Sequence, residues 1–183
     1  MKELSLNILD VSENSVKAKA TLVEISLYET EETLTISIND NGVGMTEETR
    51  RSVIDPFYTT RTTRKVGLGI PLFKFAAEQT GGKIEIESKH IDSYPDCHGT
   101  TVKATFYKKH IDFTPLGDVV STITTLIQGH ADIDFLYRHD FGERGVLLDT
   151  REIRQVLEDI PLDSYEILNW IKENLEEQYV GFY

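Results

Sequence analysis

Two short stretches of strict alternation run back to back early in the chain, and the second empties into a hexapeptide that no regular element can hold. Val23, Ile25 and Leu27, then Leu34, Ile36 and Ile38, put apolar residues at every second position. That is the period of strands with one buried face. Glu29-Thr30-Glu31-Glu32 between them reads as a polar turn. Directly after the second strand comes Asp40-Asn41-Gly42-Val43-Gly44-Met45. Two glycines and two Asx residues in five positions demand a loop.

Helices flank this pair. Residues 3–18 read as a helix with Leu4, Ile8, Val11 and Ser15 on one side and Asp10, Asn14 and Lys17 on another. Thr46 reads as an N-cap followed by acids in a first turn. Pro56 ends that segment, and 58–66 reads as a polar, basic loop. Gly67-Leu68-Gly69 then opens a helix with Pro71 in its first turn, a period through Leu72, Phe75, Ala76 and Gln79, and a stop at Gly81-Gly82. Alternating strands follow at 83–87 and 101–107, joined by a polar hairpin. From about 109 the character changes. Pro115-Leu116-Gly117-Asp118 opens a helix through Val119, Ile123, Leu126 and Ile127; a hairpin at 133–139 and 146–149 turns around Gly142 and Gly145; and helices at 151–158 and 163–178 close the chain. Helices and strands that do not alternate, with hairpin links, predict an α+β two-layer sandwich: a mixed sheet with helices on one face. The expected division is 1–108 as the main domain and 109–183 as a small α+β extension.

Net charge of −12 argues against nucleic acid as the main partner, since phosphates would be repelled. Against that background Arg50, Arg51, Arg61, Arg64 and Lys65 cluster beside a glycine turn. They suit a small polyanionic ligand, or else a solvated loop face. No apolar run approaches the roughly 20 residues of a spanning helix. The first residues lack a signal-peptide core, and the single Cys97 forms no internal disulfide, so the expectation is a cytoplasmic protein without membrane contact.

Singly, a Gly-Val-Gly or Gly-Leu-Gly is weak evidence. Neither a P-loop nor a dinucleotide fingerprint is present. Order and spacing carry more. Glu13-Asn14-Ser15-Val16-Lys17-Ala18, the Asp40-to-Met45 hexapeptide, Asp55-Pro56-Phe57-Tyr58-Thr59-Thr60, Val66-Gly67-Leu68-Gly69-Ile70 and Gly99-Thr100-Thr101 follow in sequence. Together they resemble the N, G1, F and G2 boxes and the final Gly-Thr element of the GHKL superfamily, which shares the Bergerat ATP-binding fold. The resemblance implies ATP and Mg²⁺ as ligands. Asp40 would accept the exocyclic amine of adenine, Gly42 and Gly44 would let the chain pass close to the base, and Met45 would wall the ring. Asn14 would give Mg²⁺ a neutral oxygen, and Lys17 would reach phosphate. Gly67, Leu68 and Gly69 would offer helix N-terminal N–H groups. Arg61, Arg64 and Lys65 would form a basic lid, and Thr101 would close the site.

Asp10, four residues before Asn14, shares its helix face. In this superfamily phosphorylating histidine kinases carry Asn there, whereas ATPases and anti-sigma serine kinases carry a Glu base. Asp10 is acidic but one methylene shorter, so it reads either as a general base or as a solvated acid near magnesium. With nine residues before it, and with His90, His98, His110, His130 and His139 all outside a phosphoacceptor pattern, no internal phosphoacceptor is expected. His90 and His98 read as exposed loop residues. The expected activity is that of a stand-alone kinase acting in trans on a protein partner; the alternative is an ATP-dependent switch or weak ATPase. The last helix, with Trp170, would dock on its own core or form a homodimer or partner surface.

Overall fold

In the computed structural model, residues 3–54, 68–157 and 159–181 are described. Strand parity sets the architecture. In β1 (Leu22–Glu29) and β2 (Thr33–Asp40) the side chains of Val23, Ile25, Leu27, Leu34, Ile36 and Ile38 are buried, while alternate residues such as Glu24, Ser26, Thr35 and Ser37 line the other face. β3 (Lys83–Lys89) and β4 (Gly99–Tyr107) continue the pattern through Ile86, Val102, Ala104 and Phe106. Both strands run longer than their apolar alternation predicts, because Ser88, Lys89, Gly99 and Thr100 stay paired beyond the core.

β5 (Asp134–Phe141) and β6 (Arg144–Asp149) add Phe135, Tyr137, Val146 and Leu148 to the same buried face. Gly142, at a φ of 76°, turns the chain between them. The sheet order is β3-β4-β2-β1-β5-β6. Every neighbouring pair is antiparallel except β1 and β5, so the sheet is mixed. Parallel neighbours need a long crossover, and α4 (Val119–Gly129) leads directly into β5 on that path. Residues 109–183 therefore continue the first sheet: strands and core run unbroken past residue 108.

Helices cover the buried face. α1 (Leu4–Lys17) buries Leu4, Ile8, Val11 and Ser15, as its period predicts, and touches α3 (Gly69–Gln79) and α4. α4 is capped by Asp118, which accepts from the Ser121 N–H at 2.9 Å. α2 (Glu47–Ile54) leans on α3, with Thr46 accepting from the Thr49 N–H at its start. α5 (Thr150–Leu157) and α6 (Tyr165–Tyr179) close the chain, α6 packing Leu168, Ile171 and Leu175 against α4 and β6. The glycine loop lies where β2 leaves the sheet, between the end of α1 and the tip of β3.

Candidate functional site

Asp40 is the last residue of β2 and only 7% exposed. A carboxylate this deep needs donors, and two are supplied. Ser15 Oγ donates to Asp40 Oδ2 at 2.6 Å, and the Gly42 N–H donates to Oδ1 at 2.9 Å. Each oxygen is thereby fixed, yet each keeps lone-pair capacity for one further donor. Ser15 lies on the buried face of α1, one residue after Asn14, so helix and strand meet through this bond.

The loop beyond Asp40 is held on both sides. The Val43 N–H donates to the Ala18 carbonyl at 2.9 Å, and Val43 in turn accepts from the Ile91 N–H at 2.9 Å. The Met45 N–H donates to Ser88 Oγ at 2.7 Å, and Ser88 is linked to Thr100 at 2.8 Å. Gly44 has a φ of 70°, and a Cβ there would stand 2.0 Å from the Lys89 carbonyl oxygen. A Cβ on Gly42 would stand 2.7 Å from the Ala18 carbonyl oxygen. Both glycines are thus dictated by close backbone packing, Gly44 by its left-handed conformation as well.

His98, expected to be exposed, is half-buried, and its Nδ1 lies 2.6 Å from the Gly42 carbonyl oxygen. Because a carbonyl only accepts, Nδ1 carries the proton in that contact. The hairpin ends at Gly99, whose tight approach to Asp40 brings His98 in over the loop.

Above Asp40 opens a cavity of about 160 Å³. Val11, Asn14 and Ser15 of α1, Met45, Val53 of α2, Ile70 of α3 and Thr100 of β4 are among its walls. Apolar walls with one buried acid and a few aimed polar groups suit a flat heteroaromatic ring. The expected residues Asn14, Asp40, Gly44 and Met45 all line it; Gly42 binds its floor.

Five expected positions, Asp10, Lys17, Leu68, Gly69 and Thr101, are not on its wall. The Thr101 side chain lies on the opposite face of the sheet, donating to Asn39 Oδ1 at 2.8 Å, and Thr100 lines the cavity in its stead. The reason is strand parity: Val102, Ala104 and Phe106 point inward, so 100 does and 101 does not. Lys17 is exposed and outside the cavity wall, as is Asp10. Asp10 nonetheless meets the second glycine element: a Cβ on the buried Gly69 would lie 3.1 Å from the Asp10 Cβ. Glycine there lets the start of α3 close onto α1. Leu68 precedes that helix, 66% exposed, and among the described residues no side chain caps it. The start of α3 carries the positive end of the helix dipole, and it lies beside Asp10. Arg61, Arg64, Lys65 and Gly67 lie outside the described residues.

Sequence reasoning missed Ser15 and Ser88. Ser15 reads as a small residue on an apolar helix face, and Ser88 as one polar residue of a hairpin. Only the tertiary approach of α1 and β3 to the glycine loop gives them their roles. Among the described residues, no group of three or more His, Cys, Asp or Glu gathers as a metal cluster. A Mg²⁺ would fit Asn14, whose amide oxygen is the kind of hard, neutral ligand that shares the ion with phosphate and water.

A mixed sheet with helices on one face, an acid fixed at a strand end, a glycine loop beside it and a helix starting at a buried glycine define a nucleotide-binding α+β module of the Bergerat type. Residues 2–110 match the model of the histidine kinase-, DNA gyrase B- and HSP90-like ATPase family. The chain belongs to that family. Among similar proteins are the sensor protein KdpD of Clostridium acetobutylicum, 31% identical over 94 residues, and sporulation kinase C of Bacillus subtilis, 32% identical over 91. Each match takes in 49% of this chain but only 10% and 20% of those relatives, so the chain spans a small part of their length. Among solved structures, the MutL ATPase domain of Aquifex aeolicus complexed with ADP aligns with a TM-score of 0.56 at 15% identity. It covers 86% of this chain and 70% of its own. That coverage exceeds what residues 2–110 can supply, so the likeness of fold extends into the C-terminal strands and helices.

Proposed function

We propose that the chain binds ATP as its Mg²⁺ complex and acts as a kinase in trans on a protein partner. The observation that carries the binding is the Asp40 carboxylate, fixed by Ser15 Oγ and the Gly42 N–H at the floor of an apolar cavity. Held so, it accepts the exocyclic amine of adenine without reorganisation. Met45, Val53 and Ile70 enclose the ring, and Thr100 adds a hydroxyl. The phosphates then extend past Asn14 toward the start of α3, whose N–H groups receive them. Mg²⁺, when bound, draws charge from the phosphoryl oxygens, and Asn14 is its protein ligand. Lys17, Arg61, Arg64 and Lys65 supply further positive charge around the polyphosphate. Asp10, against Gly69 at the head of α3, is the group that takes the proton of the acceptor hydroxyl.

One observation favours a second reading, an ATP-dependent switch or weak ATPase. β1 pairs on one side with β2, which carries Asp40, and on the other with β5 of the C-terminal part, so the sheet links the cavity directly to residues 134–141. A nucleotide that reorders the site has a short path to that region. Incubation with γ-labelled ATP, alone and with host lysate, separates the readings. Label in a second protein supports the kinase; free phosphate alone supports the ATPase; neither leaves a passive sensor. In the kinase reading Asp10→Asn abolishes turnover and keeps ATP binding, and unchanged turnover removes Asp10 from the mechanism.

A further inference from the structure

Away from the cavity, α5, α6 and β6 enclose an apolar groove of about 460 Å³. Ile153, Val156 and Leu157 come from α5, Ile167 and Trp170 from α6, and Leu147 from the edge strand. Three of these stay open to solvent: Val156 is 82% exposed, Leu147 53% and Trp170 49%. Such contiguous apolar exposure marks a surface that something covers.

The charges around the groove say what. Glu152 on α5 and Glu166, Glu173 and Glu177 on α6 are exposed, and among the described residues none is in an ion pair. The nearby cations are already occupied. Arg151 is held by Asp149 at 2.6 Å, Arg154 turns inward to Asp134 at 2.7 Å, and Lys172 reaches Glu176 at 3.8 Å. The rim is therefore negative without local compensation. A second copy of this chain, with net charge −12, would bring the same acids face to face. An anionic lipid surface meets the same repulsion. A small apolar molecule would fill the groove but leave the rims of Val156, Leu147 and Trp170 in water.

Edge geometry narrows the occupant further. The Gln178 side chain accepts from the Leu147 N–H at 2.8 Å and donates to the Leu147 carbonyl at 3.0 Å. It thereby occupies the outward backbone groups at the middle of β6, so a strand cannot add to the sheet there. We propose that this groove receives an amphipathic, basic helix of a partner protein, with apolar anchors at helical spacing against Trp170, Ile167 and Val156 and Lys or Arg side chains toward Glu152, Glu173 and Glu177. The site is separate from the nucleotide cavity, and its test needs no ATP.

Trp170 is the single tryptophan of the chain, so its fluorescence reports the groove directly. The full chain is titrated with an 18-residue Leu-Lys peptide patterned as an amphipathic helix, and with a Leu-Glu peptide carrying its leucines at the same positions. The Leu-Lys peptide should bind saturably and shift Trp170 emission to the blue, with affinity falling as salt rises. Glu152→Lys combined with Glu173→Lys should weaken it at least tenfold, and so should Val156→Asp; all three positions are exposed, so the fold survives the changes. Equal affinity for the two peptides, no saturable shift with the Leu-Lys peptide, or no loss in either variant overturns the proposal. A blue shift that follows protein concentration without peptide assigns the groove to a second copy. Displacement of the peptide by a short-chain fatty alcohol at stoichiometric amounts assigns it to a small apolar ligand; either result also overturns the proposal.

Discussion

At the scale of single residues, the site turns on how Asp40 is held. Asn at this position replaces one acceptor oxygen with an N–H₂ donor and removes the negative charge, so the incoming amine meets a donor or a single neutral, weaker acceptor. Asp40→Asn should lower ATP affinity ten- to hundredfold, about 1.5–3 kcal/mol, read by calorimetry. Ser15→Ala leaves Asp40 Oδ2 without its buried donor and should cost about 1–3 kcal/mol of stability in urea unfolding. Gly44→Ala should cost more than its left-handed backbone alone, about 1–2 kcal/mol, because a Cβ 2.0 Å from the Lys89 carbonyl forces the loop to move. Asp40, Gly42, Gly44 and Asn14 were legible in the sequence because a fixed hexapeptide and helix spacing carry them. Thr100 was legible in principle: the parity of Val102, Ala104 and Phe106 assigns it inward, ahead of Thr101. Ser15 was not, since nothing local tells a serine that binds a distant acid from one that fills space.

At the scale of elements, β1, β5, α6 and the end of β4 are tied together around Glu29. Its carboxylate takes a hydrogen bond from His139, fully buried on β5, and an ion pair from Lys108 just past β4. On the other side of His139, Tyr179 at the end of α6 hydrogen-bonds Nδ1 at 2.8 Å, and Phe141 stacks on the ring at 3.9 Å. The His139 hydrogen bond, then Lys108, hold the Glu29 carboxyl below its usual range, against the opposing effect of burial. A depressed carboxylate pKa adds stability at pH above the unfolded-chain value, and that stability is lost as pH falls through the folded value. The loss therefore begins near pH 4.5 and continues below it. Glu29→Gln should flatten the acid limb of the stability curve below pH 4.5, measured by thermal unfolding; an unchanged acid limb would show that Glu29 does not set it. None of this was visible in the sequence. Periodicity found the strands and the last helix, but the parallel pairing of β1 with β5 joins residues more than a hundred positions apart, and no local pattern encodes a partner at that distance.

Over the whole molecule, the family module and the C-terminal part share one sheet and one core. Cutting the chain after residue 110 would strip β1 of its parallel neighbour and remove Phe135 and Tyr137, the buried partners of Val23 and Ile25 across that pair. The 1–110 fragment should melt roughly 10 °C or more below the full chain, or fail to fold; equal melting would mean that the two parts are energetically independent. The α+β class and the helix-covered mixed sheet were legible from element order, and the change of character near 109 was real in composition, yet the backbone runs through it as one layer. The central claim is that an adenine ring sits on Asp40, and nucleotide discrimination tests it most directly. Guanine presents an acceptor oxygen where adenine presents the amine, so calorimetric titration in Mg²⁺ should give one saturable ATP site and at least tenfold weaker GTP binding, with the preference lost in Asp40→Asn. Equal affinity for ATP and GTP, or undiminished ATP preference in Asp40→Asn, would contradict the account.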